Sequence, residues 1–194
     1  MKNQLFPKQR FLRTGFTLIE LLVVITIIAI LAGILIPVIA TAMKKAEIAQ
    51  AQSTVQGIVA AVTAYENTYG KLPLHQHHQG KDDIDYLHSA NYNSYGTSRW
   101  IVMCLTAESA SHDTTKKYNP REQGFLTSDN LDNGSFPDPW GNQYAMRFDN
   151  NYDGKITLKS GRKLVAKVVA WSYGPDETND WADPDSDDVV SYNK

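Results

Sequence analysis

Four groups of residues in this chain of 194 have types and spacings that could do chemistry. In Asp149-Asn150-Asn151-Tyr152-Asp153-Gly154, side-chain oxygens recur at alternate positions and a glycine follows. That is the first half of a calcium loop, in which alternate oxygens face one ion and the glycine allows the sharp bend. The bidentate glutamate expected at the twelfth position is replaced by Ser160. Asp-Gly is also a hairpin signal by itself, so a tight turn without metal and a weak Ca²⁺ site both stand as readings. The second group, His75, His77 and His78, offers imidazoles, which are common zinc ligands. Their spacing matches no established site, and His88 and His112 lie elsewhere in the chain, so the cluster reads as a solvated loop.

The third group is a run of carboxylates, Asp176, Glu177, Asp180, Asp183, Asp185, Asp187 and Asp188, opposed only by Lys194. Such a run ordinarily forms a solvated, self-repelling face. Trp181 and Tyr192 argue against a plain disordered tail, and Asp187 to Tyr192 reads as a short closing strand. The fourth is Glu20, an acid at the head of a segment in which no residue from Leu21 to Met43 is charged. An ionised carboxylate at membrane depth costs a few kcal/mol unless a partner offsets it. If the chain is cut after Gly15, the new amine of Phe16 lies one helical turn away and, with a reference pKa of about 7.7 to 8.0, is protonated near neutrality. That ammonium could come from the same chain or from a neighbour. In the second case Glu20 would fix the register between stacked helices, as a buried polar residue does in a coiled coil.

Other chemistry finds no support. There is no nucleophile elbow, phosphate loop or cysteine pair, and an enzyme reading has nothing to stand on. Cys104, the one cysteine, can form no intramolecular disulfide and is read as a buried thiol. Net charge is −2, but four of the 19 basic residues, Lys2, Lys8, Arg10 and Arg13, precede the apolar run. Without them, 15 basic residues face 21 acidic ones, a balance near −6 that makes nucleic acid a poor partner.

The elements that position these groups follow from periodicity. The uncharged run is long enough to cross a hydrocarbon layer of roughly 30 Å as one helix. The four leading basic residues place the N-terminus in the cytosol and send the remainder across the membrane. Beyond Lys44 and Lys45, Ile48, Ala51, Val55, Ile58, Val59, Val62, Tyr65 and Tyr69 recur at steps of three and four, which predicts one helix from Phe16 to about Tyr69. Gly70 and Pro73 end it, while Gly33 and Pro37 lie inside the span, where the proline removes a backbone hydrogen bond. Residues 74–137 are polar loops around one short helix, from about Arg99 to Ala110, with Trp100, Met103, Cys104 and Ala107 on its core face. A Pro139–Gly141 turn then leads into a strand carrying Tyr144, Met146 and Phe148, and a second strand from Leu164 to Trp171 is its central partner.

Gly15-Phe16-Thr17-Leu18-Ile19-Glu20-Leu21-Leu22-Val23-Val24 resembles the N-terminal methylation motif of type IV pilins and type II secretion pseudopilins, with Pro37 where many of those helices carry a proline. The resemblance implies cleavage between Gly15 and Phe16 by a prepilin peptidase, N-methylation of Phe16, and assembly into a helical filament that uses Glu20 and a segment loosened at Pro37. Trp140-Gly141-Asn142-Gln143-Tyr144 is similar to the segment entering the sheet of major pseudopilins. Trp171-Ser172-Tyr173-Gly174-Pro175-Asp176, with Asp188-Val189 further on, resembles their C-terminal calcium loop. Carried over, Asp176 and one of Asp187 or Asp188 are carboxylate ligands to Ca²⁺, with Ser172 and the Val189 carbonyl as weaker ones.

The expected organisation is a cleaved leader (1–15), a transmembrane and assembly half-helix (16–43), an amphipathic half-helix (44–73), a variable region with a short helix (74–137) and a sheet with an acidic C-terminal loop (138–194). The fold class is α+β, a long N-terminal helix on a small antiparallel sheet. The expected function is a subunit of a type II secretion pseudopilus, a homo-oligomeric filament. It would be anchored once in the inner membrane with its head in the periplasm, and would work with the peptidase, an inner-membrane assembly platform and minor pseudopilins. A type IV pilin or minor pilin is the alternative, and a non-polymerising anchored ligand-binding protein a second one.

Overall fold

A computed structural model describes residues 15–80, 82–87, 97–106, 113–127, 134–158 and 160–192. The chain divides into two compact units, one ending at Lys44 and one covering Lys45–Lys194. Helix α1 runs unbroken from Leu18 to Tyr69, through Pro37. Its apolar first half is long and hydrophobic enough to cross a membrane, and the large side chains from Leu18 to Met43 are exposed.

In the second unit α1 turns amphipathic, and the change follows the sequence. Ala51, Val55, Ile58, Ala61, Val62 and Tyr65 form a buried seam at steps of three and four, while Ile48 stays exposed. Gly70 stops the helix in the left-handed conformation, at φ 69°, and its N–H is donated to the Glu66 carbonyl.

The seam packs on a four-stranded antiparallel sheet of β1 (Asp85–Tyr86), β2 (Ala145–Phe148), β5 (Val168–Ser172) and β6 (Val189–Val190), in the order β1-β2-β5-β6. Successive strand residues face opposite sides. Met146, Phe148, Val168, Ala170 and Val189 join the α1 core, and Ala145, Val169, Trp171 and Val190 form a second core on the far face. The expected strand from Leu164 to Trp171 is in fact two. β4 (Lys163–Leu164) pairs with β3 (Ile156–Thr157) in a separate ribbon, and β5 begins only at Val168. Val165, 88% exposed, lies in the crossing between the ribbon and the sheet, where alternation in sequence gives no warning of a break. The Asp-Gly turn is likewise no hairpin between partners, since β2 pairs with β1 and β5 and β3 pairs with β4.

The short helix is α2 (Ser98–Thr106), with α3 (Asp113–Tyr118) after it; the expected extension over Ala107–Ala110 lies outside the described residues. Ser98 through Leu105 are all buried, so α2 is a core helix on every side rather than one laid on a surface. Its final carbonyls accept hydrogen bonds from Asn119 Nδ2 (to Cys104) and from the Phe125 and Leu126 amides (to Leu105), which satisfies a buried helix end. Burial raises the Cys104 thiol well above its ordinary range, so it is inert.

On the far face Trp181 stacks on Trp171 with ring centroids 4.3 Å apart, Trp171 Nε1 donates to Asn179 Oδ1, and Tyr192 OH donates to the Trp181 carbonyl. This aromatic clasp folds the acidic run back over the sheet. Replacing Trp181 by Ala removes one of the largest buried side chains, and the expected loss of head stability is about 3 to 5 kcal/mol by urea unfolding of residues 45–194. A change below about 1 kcal/mol would place the acidic loop outside the cooperative fold.

Candidate functional site

Two places gather the residues singled out in the sequence. The first is the start of α1. Thr17 precedes the first helical residue, and its backbone N–H and hydroxyl both donate to Glu20 Oε2, at 2.8 and 2.6 Å. The Glu20 N–H in turn donates to Thr17 Oγ1, at 3.3 Å. This is a capping box, in which a Thr and a Glu three residues on satisfy each other's amides at a helix N-terminus. Sequence reasoning assigned Glu20 an ammonium partner and missed this one, although the Thr-x-x-Glu spacing that announces it was present. Phe16 and Glu20 are exposed and available to another molecule. Of residues 1–15 only Gly15 is among the described residues, so Lys2, Lys8, Arg10 and Arg13 lie outside them.

The second place is the loop after β5. Asp176, Asp187 and Asp188 each present an oxygen within 4.8 Å of the others, Asp176 and Asp187 exposed and Asp188 buried. Gly174 makes the convergence possible. Its φ is 71°, and a Cβ there would stand 2.6 Å from the Asp187 carbonyl oxygen, so only glycine lets the two ends of the loop touch. Asp187 is held above the usual carboxylate range, first by lost solvation and then by the negative charge of Asp176. Ser172, expected as a weaker ligand, is committed elsewhere: its hydroxyl donates to Asp138 Oδ2 and accepts the Gly174 N–H. Asp138 Oδ1 in turn accepts the amides of Trp140 and Asn142, which ties the Trp140 turn to the base of the loop. Val189 lies opposite Ser172 in the β5–β6 ladder.

At the other candidate calcium loop the oxygens serve the backbone. Asp149 accepts the amides of Asp153 and Gly154, Asn151 accepts that of Asp153, and Asp153 accepts that of Lys155. Of the histidines expected in a solvated loop, His77 is exposed and His78 half-buried, but His75 is not solvated. His75 is buried, stacked on His77 at 4.8 Å and packed against Trp100 and Tyr118, and its pKa is lowered first by burial and then by His77, His78 and Lys117. Nothing local marks His75 as a core residue; the packing comes from α2 and α3, far along the chain. Among the described residues no metal-ligand group includes these histidines. His88 and His112 lie outside them.

Residues 10–36 match the model of the prokaryotic N-terminal methylation motif. The chain is 40% identical over 62 residues to a type IV major pilin protein, PilE1, of Neisseria gonorrhoeae, covering 32% of this chain and 38% of that one. It is 39% identical over 62 residues to a fimbrial protein of Neisseria meningitidis serogroup B, covering 32% and 36%. Over those 62 residues the chain is similar to type IV pilins. The similarity thus spans well under half the length of these curated relatives, and no solved structure gives a significant match. The long helix on a small antiparallel sheet is a pilin-like α+β fold.

A raised carboxylate favours the folded state below the ordinary carboxylate pKa, and that contribution is lost as pH rises through the folded value. Ionising Asp187 beside Asp176 therefore weakens the head once pH has risen through the raised value. A divalent cation such as Ca²⁺ is expected to raise the melting temperature of residues 45–194 more at neutral pH than at acid pH below the raised value of Asp187, where that carboxyl carries no charge. An equal rise at both pH values would contradict this arrangement.

Proposed function

We propose that this chain is a structural subunit that polymerises through its N-terminal helix into the pseudopilus of a type II secretion system. The observation that carries the reading is Glu20, the acid next to an exposed uncharged segment, in the position that the methylation motif provides. In a free subunit the capping box satisfies it. In a filament Glu20 exchanges that local contact for the N-methylated ammonium of Phe16 on a neighbour, created when a prepilin peptidase cuts after Gly15. Pro37 and Gly33 lower the cost of rearranging the helix as it leaves the bilayer. The subunit is held in the inner membrane by one pass until then, with the head in the periplasm, and an assembly platform and minor pseudopilins are its partners.

Calcium in the C-terminal loop is part of the proposal. Three carboxylates converging within 4.8 Å suit a hard dication, and Asp176, Asp187 and Asp188 are the residues that would hold it. Bound there, the ion supplies positive charge that cancels their repulsion. The tail is preferred to Asp149, Asn151 and Asp153, whose oxygens already accept backbone amides. A second reading, a type IV pilin for attachment, motility or DNA uptake, is favoured by the names of the relatives, a major pilin and a fimbrial protein.

Two substitutions separate assembly from capping. Glu20→Ala and Thr17→Ala each break the capping box, and loss of such a cap costs about 1 kcal/mol. Filament yield from the full chain in its own membrane is expected to vanish with Glu20→Ala and to persist with Thr17→Ala. Equal yields from the two variants would reduce Glu20 to a helix cap and remove the basis of the proposal. Loss of protein export without loss of a surface fibre, on deleting the chain, selects the pseudopilus over the pilus.

A further inference from the structure

The head carries opposite charge at its two ends. The ends are defined by contacts along α1. Lys167, just before β5, places Nζ 2.7 Å from Glu66 Oε1, whereas Val190, which pairs with Trp171 near the other end of β5, accepts a hydrogen bond from Gln52 Nε2. Gln56 Nε2 donates to Ser191 on the same side. β5 therefore runs antiparallel to α1, and the loop after Ser172 lies at the Gln52 end. Gln52 and Tyr69 are about 25 Å apart at 1.5 Å per helical residue.

Exposed Glu177, Asp183 and Asp185 belong to the acidic loop that leaves the sheet at the Gln52 end after Ser172 and returns there at Asp187, outside the three aspartates assigned to calcium. The aromatic clasp holds this loop in place through Trp181. Arg162 and Lys163 of the ribbon are exposed too, two cations against the seven carboxylates between Asp176 and Asp188. At the Tyr69 end, exposed Lys71, Lys116, Lys117 and Arg121 surround the end of α1. Lys71 Nζ lies 5.5 Å from the Tyr118 ring centroid and the Arg121 guanidinium 5.7 Å from that of Tyr69, so two of the cations rest on fixed aromatic faces. Tyr65 OH and Tyr69 OH anchor this patch by donating to the Tyr118 carbonyl and to Asn119 Oδ1. Glu122 offsets Lys116 alone, at 3.5 Å. On the sheet side of this end, Asp149 and Asp153 direct their oxygens to backbone amides.

We infer that these two surfaces are the halves of one head-to-tail contact between copies of this chain: the Lys71, Lys117 and Arg121 patch of one copy meets Glu177, Asp183 and Asp185 of the next. Two different patches on one molecule make a heterologous contact, which propagates into an open assembly instead of closing into a dimer. Complementary charge fixes orientation and register, and like charge brought face to face opposes docking. The inference rests on the filament reading and adds to it a contact in the head, where Glu20 acts only at the helix start.

The test uses the full chain in cells that assemble it. Asp183→Lys with Asp185→Lys, and separately Lys71→Glu with Lys117→Glu, are each expected to lower filament yield by about tenfold, and the four changes together to restore most of it. In a second arm, Lys117→Cys and Asp185→Cys in one chain are expected to give disulfide-linked ladders in filaments but not in detergent-dispersed subunits. Cys104 is buried and stays silent. Glu20-dependent filaments that form normally with either reversed face, or ladders no stronger than those of the single cysteine variants, overturn the head contact and leave the filament reading standing. No filament from the unaltered chain overturns both. Loss of polyanion binding with Lys71→Glu and Lys117→Glu, at unchanged filament yield, makes the basic patch an anion site and overturns the contact.

Discussion

The carboxylate of Glu20 is the constraint on which this molecule depends. It stands at the head of a segment that carries no charge as far as Met43 and that exposes its apolar side chains along its length. An acid in that position needs donors. In the isolated chain they are the amide and hydroxyl of Thr17, which lie on the same helix turn and come at little cost in order. Such a contact is sufficient but replaceable, since a fixed positive charge is a stronger partner for a carboxylate than a hydroxyl is. A chain whose acid is held by a weak local partner is stable alone and still able to exchange it.

The second unit is built on its own part of α1. The seam from Ala51 to Tyr65 packs on one face of the sheet, and contacts near both ends, Gln52 and Gln56 to the last strand and Glu66 to Lys167, fix the helix against it. The opposite face would be bare apolar surface without the ribbon and the acidic loop. Trp181 anchors that loop by stacking rather than by charge, so the carboxylates converge on a scaffold that already exists. An ion of the kind proposed would adjust the stability of a folded loop, whereas in a loop without such an anchor it would have to supply the ordering itself.

Much of this was legible in the sequence where the signal is local and periodic. The steps of three and four gave the second half of α1, Gly70 and Pro73 its end, and the alternation of Tyr144, Met146 and Phe148 the strand at the centre of the sheet. The aspartates of the tail came from resemblance, and Asp176, Asp187 and Asp188 do converge. What escaped was set by distant contacts. His75 looked solvated because the residues that bury it, Trp100 and Tyr118, are on other helices. The Leu164–Trp171 strand looked continuous because only the pairing partners reveal that its two ends belong to different sheets. Thr17 is the exception: its spacing to Glu20 is local and readable, a Thr-x-x-Glu box at the start of a helix.

The account requires an ammonium at Phe16, and that group exists only if the chain is cut after Gly15. The most direct measurement is the mass and N-terminal sequence of the protein recovered from its own membrane or filament. The account predicts a mature chain that begins at Phe16 with a methylated amine. A chain that keeps residues 1–15, or that is cut beyond Glu20, would have no such partner for the acid and would contradict it.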